Sequence, residues 1–143
     1  MAMTLTPRSK VFLDTAFAIA LSSPKDENHQ QALRLALEVE AKQVRLVTTR
    51  AVVFEIGNSL SRQRHRIASI ELLESLEFDP EVEIVAATEE FSARAFELYR
   101  ARPDKEWGLT DCLSFVVMWE QGITSALTTD KHFAQAGFEA LLQ

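Results

Sequence analysis

The chain has 143 residues, 47% hydrophobic and 25% charged, the ordinary balance of one soluble globular domain with a real core. A net charge of −6 weighs against a broad basic surface for nucleic acid, yet it suits a carboxylate cluster whose bound cations reverse the local sign. One cysteine, Cys112, excludes an internal disulfide and a multi-cysteine zinc site; no apolar stretch nears the length of a bilayer span and no signal peptide opens the chain, so a single domain over residues 1–143 in the cytoplasm is expected.

Val11, Phe12 and Leu13 form a short apolar run ending on Asp14, the pattern of a buried parallel strand. Ser23, Pro24 and Asp26 read as the N-cap, first-turn proline and first-turn acid of a helix reaching about Ala41, with Ala32, Leu35, Ala36 and Val39 on one face. Residues 45–48 fit a second strand. From about Arg50 the spacing of Val53, Ile56, Gly57 and Leu60 predicts a helix that carries Glu55, and residues 67–76 predict another. The densest basic patch, Arg62, Arg64 and Arg66, lies near their junction. Residues 82–86 read as a third strand, and Thr88 with Glu89 and Glu90 caps a helix to about Arg100. Pro103 and Gly108 break the chain before Thr110, which can cap a helix bearing Leu113, Val116, Val117 and Glu120 and ending near Gly122. Residues 125–129 and 138–142 give a fourth and a fifth strand.

Strands alternating with helices imply an α/β fold, a central parallel sheet with helices on both faces, because a parallel crossover needs a covering helix. Such sheets place their chemistry at the carboxyl ends of the strands, where Asp14 and Asp130 fall. Glu55 and Asp111 are likewise acids set in apolar sequence, and charged residues are seldom buried there unless paired or coordinated. Each has a structural alternative: a turn acid for Asp14 and Asp130, an exposed helix residue for Glu55, a dipole-favoured N-terminal acid for Asp111. Hard cations such as Mg²⁺ need only a few convergent carboxylates, however far apart in sequence.

The segments Val11-Phe12-Leu13-Asp14-Thr15, Phe54-Glu55-Ile56-Gly57-Asn58-Ser59-Leu60, Leu109-Thr110-Asp111-Cys112-Leu113-Ser114-Phe115 and Leu127-Thr128-Thr129-Asp130-Lys131-His132-Phe133 resemble, in order, the four acidic motifs of the PIN-domain family. The resemblance implies a three-layer fold with sheet order 3-2-1-4-5. It also implies a Mg²⁺- or Mn²⁺-dependent ribonuclease, often the toxin half of a VapC-type toxin–antitoxin pair. Carried over residue by residue, Asp14, Glu55, Asp111 and Asp130 would hold the metal, and none would act as a covalent nucleophile. Thr15 and Thr128 resemble the hydroxyls that accompany those acids and would orient carboxylates or water, with backbone bonding at strand ends as the alternative. Asn58, one turn after Glu55, can hydrogen-bond that carboxylate. RNA substrate, a cognate antitoxin and a homodimer are further expectations of the resemblance. A degenerate PIN fold that only binds RNA or protein would be marked by loss of acids, and all four are present.

Other chemistries fit less well. A haloacid-dehalogenase-type phosphatase needs a second Asp two residues after Asp14, where this chain has Ala16. A receiver domain would leave Glu55 and Asp111 without roles, although Lys131 imitates its lysine. His29, His65 and His132 lie in separate polar settings and read as surface residues. Asp104 reads as a loop acid, with contact to metal or substrate as the sharper option, and Arg62, Arg64 and Arg66 as a solvated helix end, with guidance of an RNA backbone as theirs.

Overall fold

In a computed structural model, which describes residues 5–142, five parallel strands form one sheet in the order β3-β2-β1-β4-β5. Residues 1–4 and 143, the outer ends of the expected single domain, lie outside the described residues. The strands are β1 (Lys10–Leu13), β2 (Arg45–Thr49), β3 (Val82–Val85), β4 (Ser125–Leu127) and β5 (Glu139–Ala140). Seven helices connect them among the described residues: α1 (Thr15–Ser22), α2 (His29–Ala41), α3 (Arg50–Ser59), α4 (Gln63–Phe78), α5 (Glu89–Ala101), α6 (Leu109–Gln121) and α7 (Lys131–Gln135). The expected α/β class and strand order both hold.

Right-handed crossovers fix the layers. The chain steps from β1 to β2 to β3 in one direction, so α1–α4 cover one face; it then returns past β1 to β4 and β5, placing α5–α7 on the other. Contacts follow that division, with α1 against α2 and α3, α3 against α4, and α6 against α5 and α7. Strand order reverses between β1 and β4, and a parallel sheet opens a crevice at the carboxyl ends of the strands on either side of such a reversal. Asp14 follows β1 directly and Asp130 follows β4 by three residues, so both acids stand at that crevice.

The core explains the rigidity of this edge. In α6, every residue from Cys112 to Met118 is buried, as expected for a helix apolar on all sides and wedged between the sheet and α5. Phe115 is its hub, packing edge-to-face on Trp107 and Phe133 with ring centroids 5.0 Å away in each case, and 5.6 Å from Phe138. Phe133, in α7, lies 6.1 Å from Phe12 of β1. One aromatic cluster thereby locks α6 and α7, the elements that carry Asp111 and Asp130, against the strand that delivers Asp14. Gly122 ends α6 with φ +68°, a left-handed conformation that favours glycine.

Three local expectations are corrected. Residues 15–22 form a helix not foreseen in the sequence, and Ser23–Asn28 are turns, so α2 begins at His29 rather than at Pro24. Gly108, not Thr110, is the N-cap of α6. The last two strands are shorter than residues 125–129 and 138–142: β4 stops at Leu127 as the chain turns toward α7, which Asp130 caps, and β5 spans only Glu139–Ala140.

Candidate metal centre

Asp14 is the N-cap of α1 and only 6% exposed. Its Oδ2 accepts a 2.7 Å hydrogen bond from the Thr128 hydroxyl, whose oxygen in turn accepts the Asp130 N–H at 3.0 Å. Because that N–H occupies an oxygen lone pair, the hydroxyl proton is directed to Asp14. The strand floor is pinned as well, by the buried Thr48 hydroxyl donating to the Leu13 carbonyl at 2.8 Å. Burial pushes the Asp14 carboxyl up from 3.8 to about 6; the bonds from Thr128 and the Thr15 N–H oppose this, and the nearby Asp111 and Asp130 add to it.

Asp111 stands in the first turn of α6, where its Oδ2 accepts the Gly108 N–H at 3.1 Å. Glycine has no side chain to return the bond, so this is half a capping box. The same oxygen meets His132 Nδ1 at 3.1 Å. Both partners fall on Oδ2, which leaves the lone pairs of Oδ1 to another ligand. Burial again raises this carboxyl, and Asp130 raises it further, against the lowering pull of Gly108 and His132. Asp130 caps α7 by accepting the His132 N–H on Oδ1 at 2.9 Å, and the same oxygen lies 3.4 Å from His132 Nδ1. Asp111, Asp130 and His132 each present a ligand atom within 4.8 Å of the others.

His132 was expected on the surface, and its position here corrects that reading. The imidazole sits between two acids, with 20% of its side chain exposed. It stands between the polar Lys131 and the buried Phe133, so nothing in the pattern marks it except its offset of two residues from Asp130 at a helix start. His29 bonds the Ala20 carbonyl through Nδ1 at 2.7 Å, and His65 lies against Arg64.

Glu55 is exposed on α3, and its Oε1 accepts a 2.6 Å bond from the Thr15 hydroxyl. Thr15 thus ties the second acidic segment to the residue next to Asp14, while Glu55 stays outside the Asp111–Asp130–His132 group. Asn58 is exposed, and among the described residues no hydrogen bond joins its side chain to Glu55. Asp104 forms a two-pronged ion pair with Arg102 at 2.9 and 3.0 Å, which holds its carboxyl down at about 2. Of the basic patch, Arg66 is folded back onto the Ser61 carbonyl, at 2.6 Å from Nη2.

The donor set is hard oxygen from Asp14, Asp111, Asp130 and, at the margin, Glu55, with one imidazole nitrogen beside it. That suits Mg²⁺ or Mn²⁺ better than a thiophilic ion. Burial first, and the two neighbouring acids after it, set the raised Asp14 carboxyl. An apolar cavity of about 490 Å³ lined by Phe17, Leu21, Val39 and Val44 opens where β2 and β3 begin, the far edge of the sheet from these acids.

Comparison with known proteins identifies the family. VapC20 of Mycobacterium tuberculosis, strain H37Rv, a 23S rRNA-specific endonuclease, is 28% identical over 128 residues, covering 90% of this chain and 95% of the relative. The crystal structure of that VapC20, described as a sarcin-ricin loop cleaving toxin, superposes with a TM-score of 0.80 at 27% identity, over 90% of this chain and 95% of the other. VapBC2 from Rickettsia felis, solved bound to a DNA fragment from its promoter, shares the fold with a TM-score of 0.64 at 16% identity, over 92% and 96% of the two chains. FitAcB from Neisseria gonorrhoeae does so at 0.63 and 18%, over 91% and 94%. With the PIN domain model matching residues 11–139, the chain belongs to the PIN-domain family.

Proposed function

We propose that this protein is a divalent-metal-dependent endoribonuclease, the toxin component of a toxin–antitoxin pair, with Asp14, Asp111 and Asp130 as the core of its metal site and Glu55 at its margin. The observation that carries the reading is that Asp111, Asp130 and His132 present ligand atoms within 4.8 Å of one another, with the buried Asp14 near enough for both acids to raise its carboxyl, at the crevice where strand order reverses. The likeness to VapC20 supports RNA as the substrate and a structured ribosomal RNA loop as the first candidate.

A divalent cation held there would supply Lewis-acid stabilisation of the charge that develops on phosphate oxygens, and would activate water as the nucleophile. The chain's own residues prepare the site. Thr128 fixes Oδ2 of Asp14, so that the carboxylate approaches a cation through a defined oxygen. Asp14 must release its proton before it can do so, and burial, with the two neighbouring acids adding to it, delays that release. His132 holds Asp111 and Asp130 at a set separation, and Thr15 keeps Glu55 turned toward the same crevice. Mg²⁺ or Mn²⁺ is the expected ion by donor chemistry. A homodimer and an antitoxin segment over the crevice belong to the same reading. No helix among the described residues is long and apolar enough to cross a membrane.

The test is direct. Purified protein is incubated with 23S rRNA and Mn²⁺ and the new 5′ ends are mapped, with Asp14→Asn and Asp111→Asn as controls. Discrete cleavage that needs metal and both acids is expected. Cleavage that survives both substitutions would overturn the roles given to Asp14 and Asp111, and a protein that cuts no RNA and takes up no Mn²⁺ in titration calorimetry would overturn the assignment in favour of a binding-only PIN fold.

A further inference from the structure

The C-terminal end of α5 and the loop that follows it carry an unusual surface. Phe96 and Tyr99 are 50% and 46% exposed, and their rings lie nearly parallel, 22° apart with centroids at 6.4 Å. Arg100 reaches over Phe96, its guanidinium 5.7 Å from the ring centre, and Arg102 lies 5.2 Å over Trp107. Together with Lys105 these side chains line a pocket of about 510 Å³, inside the range of roughly 300–1,000 Å³ typical of small-ligand clefts. Trp107 is itself buried and anchored by its indole N–H to Gln135 at 3.0 Å, which makes the floor of the pocket rigid.

The pocket is continuous with the acids. Lys105 and Glu106 line both it and a smaller polar depression bounded by Lys131 and His132, the residue that touches Asp111 and Asp130. Gly108 lines the aromatic pocket, and its N–H is the one that bonds Asp111. A chain whose phosphate lies at the acids therefore runs along the depression and brings its next residues to the exposed rings.

Local charge favours a base over a bare phosphate as the occupant. Arg100 is paired with Glu97, Arg102 and Lys105 both lie against Asp104, and Glu106 lines the same pocket, so three acids offset the three cations. Such a surface attracts a polyanion weakly at long range. What it offers is ring faces, and guanidinium planes already stacked on rings, which every unpaired base recognises regardless of sequence. Exposed ion pairs contribute little to stability, so the arginines can exchange a carboxylate for a phosphate oxygen once the base is seated.

We propose that this pocket is a stacking subsite for one unpaired nucleotide of the RNA, flanking the phosphate that is cut, with Tyr99 and Phe96 as the platform and Arg100 and Arg102 clamping base and backbone. The inference rests on the nuclease reading for its register, and the surface itself requires only that RNA binds.

The experiment uses the full chain and an RNA hairpin with 2-aminopurine placed in turn at each loop position. Fluorescence is read on binding, and kcat/KM for cleavage is read separately with Mn²⁺. Wild type should quench one flanking position. Tyr99→Ala and Phe96→Ala should abolish that quench and lower kcat/KM by about 5- to 150-fold, the equivalent of one base stacked on one aromatic side chain. Tyr99→Trp should retain both, and Mn²⁺ affinity should not change in any variant. Cleavage and quenching unaltered in both alanine variants would overturn the subsite and leave the nuclease standing. A quench lost on Tyr99→Ala in a wild type that cuts no RNA would keep the subsite and sink the nuclease. A shift in sedimentation from dimer to monomer in the alanine variants, with RNA binding unchanged, would show that the rings face a second copy of the chain and overturn the proposal.

Discussion

Replacing Asp14 by Asn should stabilise the metal-free protein at neutral pH while removing its response to metal. The Asp14 carboxyl is raised by burial and by two neighbouring acids from 3.8 to about 6. A group raised in this way contributes stability that is fully present below about 3.8, where it is protonated in both states, and lost as pH climbs through about 6. At about 1.4 kcal/mol per pH unit, the gap corresponds to about 3 kcal/mol lost between pH 4 and pH 7. Asp14 is 6% exposed, so solvent screening removes little of this. Asn keeps an oxygen for the Thr128 hydroxyl and carries no charge. The metal-free variant should therefore melt about 10 °C above wild type at pH 7.5, taking about 3–5 °C per kcal/mol for a chain of this size, and the difference should vanish at pH 4. Mn²⁺ at a hundred times its dissociation constant stabilises the folded state by about 2.7 kcal/mol, so wild type should recover most of the deficit and the variant should not move. Thermal melts from pH 4 to 8, with EDTA or Mn²⁺, read all of this. Parallel curves for the two proteins across that range would refute both the buried charge and its link to metal.

Thr128→Val removes the hydroxyl that donates to Asp14 and accepts the Asp130 N–H in a fully buried position; a loss of about 1.5–3 kcal/mol in urea unfolding of the metal-free protein at pH 7.5 is expected for a bond to a charged group, with weaker Mn²⁺ uptake in calorimetry. His132→Ala should weaken Mn²⁺ binding about 10- to 100-fold, the usual effect of losing a residue that orients metal-holding carboxylates, with the fold intact by circular dichroism. An affinity unchanged by His132→Ala would show that Asp111 and Asp130 hold their positions unaided. Phe115→Ala should cost about 3–5 kcal/mol in urea unfolding, because Phe115 is fully buried at the centre of the aromatic cluster; a loss below about 1 kcal/mol would mean that the cluster repacks freely.

The strands were legible because each is a short apolar run bounded by breakers, and the acids because each interrupts apolar sequence. Residues 15–22 escaped the same logic. Phe17, Ala18 and Ala20 are buried on different sides, so α1 shows no stripe of period 3.6, and periodicity cannot tell such a run from a loop beside a strand. Asp130 was placed correctly near the end of a strand, but it is also the N-cap of α7, a five-residue helix too short to have a pattern. His132 was missed with it. A histidine two residues after an N-cap acid donates its own N–H to that acid, which turns its ring back over the crevice, and this geometry follows only once the helix start is known. The Thr15–Glu55 bond links α1 to α3, and no spacing along one element predicts it.

These missed features have a common physical origin, and it bears on how the site works. Burying Asp14 beside two half-buried acids is unfavourable, and local structure supplies only part of the compensation, the Gly108 N–H at the start of α6; the rest comes from donors that tertiary structure brings in, the Thr128 hydroxyl and the His132 ring. On Asp111 the Gly108 N–H and the His132 ring both fall on Oδ2, and on Asp14 the Thr128 hydroxyl takes Oδ2, which positions each carboxylate without closing it. The compensation is only partial, as the raised carboxyls of Asp14 and Asp111 show. A fully satisfied cluster would hold its protons low and gain little from a cation. A cluster left short of positive charge, on a frame stiffened by Phe115 and Phe133, would gain from a divalent ion the stability that its own burial withholds.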